Sequence, residues 1–473
     1  MSIHLLRLAF ISLFFAIGQG ALGDEITGKP GYAPKVPKNS VPSLHHGLRN
    51  VSRLQKFSVA LQTLGIPPEA KPDFAELPSH TALTQTDFET QLSYIDPHLG
   101  LRRYFDITST AVSTFQNFFS LSGGILPEYR FNFSRHSAPS DSEGLINHLN
   151  QISGQVKSNI AEPLQGLKIV LDPGHMGTDF WDEATGKYVK LEDKKVSEGD
   201  LNLWTAYLVA NELEDLGAMV TITRTEAGPV TKSNLQNFNA TPFINQYFYD
   251  SLDNWMEKYL ALDEAEIKET IKEKPEVKKA YTSDQQEQFF IEGEDLEARE
   301  KIIEALQPDI TLDIHYDAED STKLQDSNDA METFVPGGLL ETESGSRLMR
   351  AYAMNQLLSV RRFNESVNLA SELVHAMSLS EGVSLESVNG YYNAEMIKGK
   401  DGVYARNLYI SARNITSLMI YVECLHYDHV KEFNQLTELT ESGIYRGIHF
   451  QYPKRINAVA QGVKNGLLNY FKR

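Results

Sequence analysis

Two histidines and a glutamate in this sequence stand where metal ligands would be useful, although their spacing is too wide for a local metal-binding motif. His175 follows a Pro-Gly turn that ends one apolar segment, and His315 ends another. Ligand sites in open α/β sheets lie beyond the carboxyl ends of the strands. Glu198 precedes a helical pattern; a helix dipole alone would favour an acid there, but Asp200 can fill that role. Two histidines and one carboxylate, with an open position for water, form a common catalytic zinc site. We therefore predict that His175, Glu198 and His315 bind zinc.

A second glutamate has the position of a general base. Glu423 comes directly after an apolar segment, and burying an acid there is costly unless it is paired or functional. Beside zinc, a carboxylate can take the proton of the attacking water and pass it to the leaving nitrogen. His426 and His429 lie nearby and compete as ligands. Their polar neighbours lead us to interpret them as loop residues.

Strands and helices alternate from residue 167 onward. Apolar periodicity predicts a helix over 201–216 that is stopped by Gly217. This alternation is typical of an α/β domain with a twisted, mostly parallel or mixed sheet flanked by helices. A polar, Lys/Glu-rich stretch, 228–294, interrupts the domain as an insertion. The predicted strands are 167–171, 218–223, 309–314 and 417–422.

The first 160 residues carry no motif of chemistry. Residues 1–23, with one arginine, an apolar core and small residues near the end, predict a signal peptide. We expect export to a periplasm without stable membrane insertion after cleavage, an uncleaved anchor being the alternative. Residues 24–45 are Pro-rich and predict a linker. Residues 46–160 predict a mostly helical N-terminal region of unassigned role.

Composition limits the partners. The chain has 473 residues, enough for about two to three domains. Its formal net charge of −19 disfavours nucleic acid and anionic lipid as partners. The single cysteine, Cys424, excludes an internal disulfide, and its apolar surroundings predict a buried, inert thiol.

Five segments, in order, resemble the zinc-dependent N-acetylmuramoyl-L-alanine amidases, the type-3 cell-wall amidases. The resemblance covers about residues 166–470. It implies a catalytic domain in which His175, Glu198 and His315 hold zinc and Glu423 is the base. The substrate would be peptidoglycan, cut between N-acetylmuramic acid and the L-Ala of the stem peptide. The segments are LKIVLDPGHMG (167–177), SEGDLNL (197–203), LGAMVTITRTE (216–226), LEAREKIIEALQPDITLDIHYDA (296–318) and GVYARNLYISARNITSLMIYVEC (402–424).

Other positions within these segments match the family less closely. Arg224 and Arg299 match structural positions, and we interpret them as fold-supporting ion pairs. Met176 stands where the family usually has a small residue, and Tyr316-Asp317 where it usually has Ala-Asn. These departures flank the ligands and leave them intact, so they bear on substrate preference more than on catalysis.

The insertion suggests regulation. Some amidases that this chain resembles carry an inserted helix that plugs the zinc site until an activator protein removes it. The acidic run 292–295 lies at the end of the insertion and is a candidate source of a plugging carboxylate.

Two other functions stay open at this stage. A zinc exopeptidase or other amidohydrolase on a similar scaffold would act on soluble peptides. A cell-wall-binding or regulatory protein with a silent site would keep the fold without turnover.

Overall fold

The computed structural model describes residues 84–86, 88–89, 92, 105–114, 130–133, 144–159, 161–239, 287, 290–319, 322–326, 329–336, 362–387, 394–406 and 417–473. They belong to one compact unit, Arg53–Arg473. The predicted signal peptide and linker, most of the region 46–160 and most of the insertion 228–294 lie outside the described residues. Within the described part of the chain, no helix is both long enough and apolar enough to cross a membrane.

The strands, in chain order, are β1 (Phe105–Ile107), β2 (Ala111–Thr114), β3 (Arg130–Asn132), β4 (Lys168–Pro173), β5 (Tyr188–Leu191), β6 (Lys194–Ser197), β7 (Met219–Ile222), β8 (Ile310–Asp317), β9 (Ala330–Pro336), β10 (Ser384–Leu385), β11 (Ala394–Met396), β12 (Val403–Arg406), β13 (Leu418–His426), β14 (Glu441–Tyr445) and β15 (Ile448–Tyr452). The α-helices are α1 (Gly144–Val156), α2 (Thr178–Thr185), α3 (Glu198–Glu214), α4 (Leu296–Leu306), α5 (Arg362–Glu381), α6 (Val430–Leu436) and α7 (Ile456–Lys472).

Eight strands form the central sheet, in the order β11-β12-β9-β13-β8-β4-β7, with β10 paired to β9. The strands β13, β8, β4 and β7 are mutually parallel. The strand β9 is antiparallel to β13, and β10 and β12 run parallel to β9. The prediction of a mostly parallel or mixed sheet flanked by helices is therefore confirmed.

Successive residues of β4 face opposite sides of the sheet, where they contribute to a large core and to a smaller one. Ile169 and Leu171 of β4 belong to the main core, which also includes residues of α3, α5 and α7. Val170, between them, points to the opposite face and packs with Ile303 of α4 and Met419 of β13. This alternation is the period of two expected of a sheet covered on both faces.

Three predicted boundaries are wrong, and each concerns a site residue. The strand β8 continues through His315 to Asp317, and β13 continues through Glu423 to His426, so these two side chains lie within strands. The helix α3 begins at Glu198 rather than at residue 201. Ser197 caps it, its side chain accepting a hydrogen bond from the Asp200 amide, which is the role that a serine favours at a helix start.

The cysteine is buried, as predicted. Cys424 lies in β13 within the main core and is fully inaccessible. Burial, with a contribution from nearby Glu381, holds the pKa of the thiol well above its usual range. A thiol that stays protonated is a poor nucleophile.

The helices α5 and α7 approach each other closely at two glycines. A Cβ atom on Gly466 would lie 2.6 Å from Leu373 Cα, and one on Gly462 would lie 2.6 Å from Met377 Cα. Because the opposing atoms are backbone, side-chain rotation cannot relieve the overlap.

We expect Gly466→Ala to destabilise the protein by about 1–3 kcal/mol, the usual cost of overpacking a core. Gly154→Ala is the matched control, since Gly154 lies within α1 and a Cβ there would meet nothing within 4 Å. The control should be neutral or slightly stabilising because alanine is the better helix former. Denaturant unfolding measures both, and equal midpoints for the two variants would contradict the close packing.

Candidate metal centre

Three side chains that are far apart in sequence converge at the end of the parallel strands. His175 Nε2 lies 3.1 Å from Glu198 Oε1, and His315 Nδ1 lies 3.0 Å from the same oxygen. The two imidazole rings meet edge to face, with centroids 4.9 Å apart. Tetrahedral zinc with bonds near 2.0–2.1 Å separates its ligand atoms by about 3.3 Å. The donor spacing therefore fits a metal ion.

The hydrogen bonding of these donors supports the same fit. His175 Nε2 and Glu198 Oε2 are buried, and neither forms a well-aligned hydrogen bond with a described residue, although Nε2 lies 3.1 Å from Glu198 Oε1. Glu198 is almost fully buried as the first residue of α3. Buried polar atoms normally have a partner, and a metal ion bound by two imidazoles and a carboxylate would supply one.

A glycine allows the two histidines to meet. A Cβ atom on Gly174 would lie 2.0 Å from His315 Nε2, so the imidazole of His315 occupies the space that any other side chain would need. His175 follows with a φ of 54°, in the left-handed region that a non-glycine residue rarely adopts. Such strained backbone persists only where the surrounding structure holds it in place.

Arg299 of α4 holds this strained turn. Its guanidinium donates hydrogen bonds to the carbonyl oxygens of Pro173 and His175, each at 2.8 Å. It also forms buried ion pairs with Asp172 at 2.8 Å and Asp295 at 2.9 Å. The interpretation of Arg299 as a fold-supporting ion pair agrees with these contacts.

Arg224 supports the same turn by a different route. It donates hydrogen bonds to the carbonyl oxygens of Gly174 at 3.2 Å and Gly199 at 2.8 Å, and the side-chain Nδ2 of Asn202 also donates to Gly174 O. In the described region, the hydrogen bonds from Arg224 go to main-chain oxygens rather than to a carboxylate. Arg224 thereby ties the turn that carries His175 to the start of α3.

Glu423 stands beside the cluster through strand register. It is the register partner of His315 across the parallel pair β13 and β8, so both side chains emerge on the same face of the sheet. Its Oε2 is buried and has no hydrogen-bond partner among the described residues. Burial and the neighbouring charge of Asp317 hold the pKa of Glu423 well above its usual range.

The environments of the two histidines differ. Burial lowers the pKa of His175 to about 4, although Glu198 acts in the opposite direction. Burial also acts to lower the pKa of His315, but the carboxylates of Asp313 and Glu198 outweigh it and raise the pKa to about 10. Without metal, His315 therefore carries a proton, and a metal ion at its nitrogen would displace that proton.

Sequence reasoning missed three contributors. Asp313 Oδ1 lies 3.3 Å from His315 Nε2, and the Tyr421 ring stacks on His315 with centroids 4.1 Å apart. Lys187 Nζ lies 3.6 Å from Glu198 Oε2, which raises the pKa of this lysine. Strand alternation places Asp313 and Tyr421 on the face of His315 and Glu423, a signal available in the sequence. No sequence pattern marks Lys187.

Two carboxylates of the acidic run 292–295 accept hydrogen bonds from Thr231, near the start of the insertion. Asp295 pairs with Arg299 and accepts a hydrogen bond from the Thr231 amide at 3.0 Å. Glu294 accepts one from the Thr231 hydroxyl at 3.1 Å. The Glu292 side chain lies outside the described residues. In the described structure, Glu294 and Asp295 therefore fasten the two ends of the insertion to each other.

His426 and His429 are both buried, at 6% and 2% exposure. The loop interpretation is wrong for His426, which is the last residue of β13. His429 lies in the turn before α6, but its side chain is buried rather than solvated. The two form a second group of candidate metal ligands with Asp329.

The fold and the His-Glu-His cluster define the class of protein: an α/β protein with a candidate catalytic metal centre. No family model matches the chain. Over 72 residues, the sequence is 43% identical to a protein of Staphylococcus aureus described as "Probable cell wall amidase LytH". The match covers 15% of this chain and 23% of LytH, so the chain spans about a quarter of that relative's length. The predicted resemblance to cell-wall amidases is confirmed over these 72 residues.

Solved structures similar to this chain include two amidases. The CwlD amidase from Clostridioides difficile, solved in complex with the GerS lipoprotein, gives a TM-score of 0.36 at 15% identity, covering 64% of this chain and 98% of CwlD. The N-acetylmuramyl-L-alanine amidase Ami1 from Mycobacterium smegmatis gives 0.35 at 13% identity, covering 65% of this chain and 98% of Ami1.

Removing Arg299 should destabilise the fold because Asp172 and Asp295 would lose their buried ion-pair partner. We expect Arg299→Gln to cost about 3–5 kcal/mol in unfolding free energy, the range for breaking a buried pair. Lys301→Gln, two residues along the same helix, removes an exposed pair with Glu297 and should cost at most about 0.5 kcal/mol. Comparable losses for the two variants in urea unfolding would contradict the role assigned to Arg299.

Proposed function

We propose that the chain is a zinc-dependent N-acetylmuramoyl-L-alanine amidase that acts on peptidoglycan. His175, Glu198 and His315 would bind the metal, and Glu423 would be the general base. The observation that carries the proposal is the meeting of the three donors with Glu423 in strand register beside His315. The local match to LytH supports the choice of a cell-wall amide as substrate.

Zinc held at this site would act as a Lewis acid toward the scissile carbonyl and lower the pKa of a bound water. The chain's own residues supply orientation and proton transfer. Asp313 lies against one nitrogen of His315 and leaves the other directed toward Glu198, an arrangement that fixes ring orientation in metal sites. Tyr421 stacks on the ring and restricts its rotation.

Glu423 would transfer the proton during amide cleavage. The amide is cut when water adds to its carbonyl carbon and the nitrogen departs with a proton. Glu423 would accept the proton from the attacking water and deliver it to that nitrogen. Burial makes its carboxylate a stronger base than an exposed glutamate, because burial raises its pKa.

We also propose that residues 1–23 direct export, so that the catalytic domain, 166–470, acts on the cell wall in the periplasm. A cell-wall substrate and the signal-like composition of the N-terminus support this location. The insertion 228–294 is the candidate target of an activator protein. Removing residues 240–286 should then raise activity on peptidoglycan, whereas an unchanged rate would count against autoinhibition by this segment.

Digestion of purified muropeptides tests the reaction. We expect free stem peptides beginning with L-Ala, detected by mass spectrometry, to disappear after chelation and to return when zinc is added. Cleavage of soluble peptides alone would indicate an exopeptidase. No turnover by the zinc-loaded chain, with or without residues 240–286, would indicate a silent binding protein.

Glu423→Gln separates the base from the ligands. It should lower kcat by about 10²- to 10⁴-fold, the usual contribution of a general base, and leave the bound zinc unchanged. Glu438→Gln, an exposed glutamate near α6, is the control and should keep full activity. If Glu423→Gln also loses metal, as measured by atomic emission, then Glu423 is a ligand rather than a base.

A further inference from the structure

A second cluster of metal-binding side chains lies near the first, beyond Glu423 in β13. Asp329, His426 and His429 each place a donor atom within 4.8 Å of the other two. His426 Nδ1 lies 2.8 Å from Asp329 Oδ1. The two imidazole rings stack with centroids 5.0 Å apart. Two imidazoles and one carboxylate repeat the donor set of His175, Glu198 and His315.

An irregularity in β13 brings His426 to this position. The register of β13 against β8 shifts between Glu423 and His426. Cys424 and Leu425 both join the main core, although consecutive strand residues normally face opposite sides. His426 therefore returns to the face of Glu423, opposite Asp317. Such bulges re-aim side chains and are enriched near active sites.

The backbone of 322–326 holds His429 in place. Gln325 forms a parallel bridge with His429. The Gln325 amide donates to Asp428 O at 2.8 Å, and the Val430 amide donates to Gln325 O at 3.0 Å. The residues before and after His429 are thus both hydrogen-bonded to Gln325, which fixes the backbone at His429. A metal ligand needs such pre-organisation.

The cluster is surrounded by carboxylates, and one of its oxygen atoms has no hydrogen-bond partner in the described structure. Asp329 is 9% exposed, and its Oδ2 is buried without a hydrogen-bond partner in the described structure. Asp317 Oδ2 lies 3.7 Å from His426 Nε2, and Glu319 Oε1 lies 3.4 Å from His429 Nε2. Asp317 and Glu319 are partly exposed, at 34% and 52%, whereas the Asp329 carboxylate is nearly buried. A buried carboxylate is costly without a compensating cation.

A cavity of about 300 Å³ reaches the cluster. His426 and His429 line it together with Asp317 and Glu319. An ion at the cluster would therefore have an entry path and room for water ligands. The first cluster contributes no residue to the lining of this cavity.

We propose that Asp329, His426 and His429 bind a second divalent transition-metal ion of the zinc type, with water from the cavity completing its coordination. Imidazole ligands favour such ions over magnesium or calcium, which prefer oxygen donors alone. The ion would join the end of β13 to the start of β9 and to the turn before α6. It would thereby support the strand that carries Glu423, acting as a positioning ion rather than as part of the cleavage reaction.

Metal stoichiometry tests the second site without reference to activity. The full chain is stripped with a chelator, dialysed against Zn²⁺ and analysed by atomic emission. We expect two ions in the wild type and one in His429→Gln. We also expect one ion in His175→Ala, and none in the double variant. Glu386→Gln, which alters a cavity-lining acid outside the ligand set, is the matched control and should keep two.

Cobalt gives an independent readout. In His175→Ala, one equivalent of Co²⁺ should produce saturable visible absorption and raise the Tm, and both effects should vanish when Asp329→Asn is added. A wild type that binds one ion together with a His175→Ala variant that binds none would overturn the proposal. That comparison remains decisive even if His429→Gln does not fold, and it does not depend on which amide the first site cleaves.

Discussion

The candidate metal centre depends on the hydrogen bonds and ion pairs of the buried Arg299 guanidinium. It donates to two carbonyls of the turn that carries His175 and pairs with Asp172 at the end of β4 and with Asp295 before α4. A charged donor in a low-dielectric setting makes strong hydrogen bonds. One side chain thus joins the turn of His175 to the sheet, to α4 and to the end of the insertion. The strained φ of His175 is tolerable because these bonds hold the turn.

Carboxyl groups are concentrated where the central strands meet the site. Asp313, Glu332 and Glu423 are all buried on this part of the sheet. Their desolvation would oppose folding if nothing compensated it. Histidines lie beside these acids, since both the candidate metal centre and the second cluster pair histidine with carboxylate. Acids and histidines at this edge should therefore be understood as one electrostatic unit.

The sequence predicted the α/β class because buried strands have a recognisable apolar pattern. It singled out three of the four residues proposed for the site because they follow such segments, and ligand sites lie beyond the carboxyl ends of strands. It misjudged how far β8 and β13 extend, since the polar residues His315 and Glu423 break the apolar run while the backbone ladder continues. The prediction that His426 lies in a loop was wrong because a β-bulge changes the direction of the side chains, and no residue type marks a bulge in the sequence. The contact of Lys187 with Glu198 depends on three-dimensional folding that periodicity does not encode.

The reversed direction of β9 has a consequence for how this site can diversify. The mutually parallel strands β13, β8, β4 and β7 end at the functional edge, whereas β9, which is antiparallel to β13, begins there, with Asp329 just before it. The connection entering β9, which includes 322–326, therefore borders the same rim as the turn after β4. Changes in that connection can reshape the rim while the ladder of the central sheet stays intact. Surface connections tolerate insertion better than strands do, so this rim can vary in length and sequence without a change in the residues of the candidate metal centre.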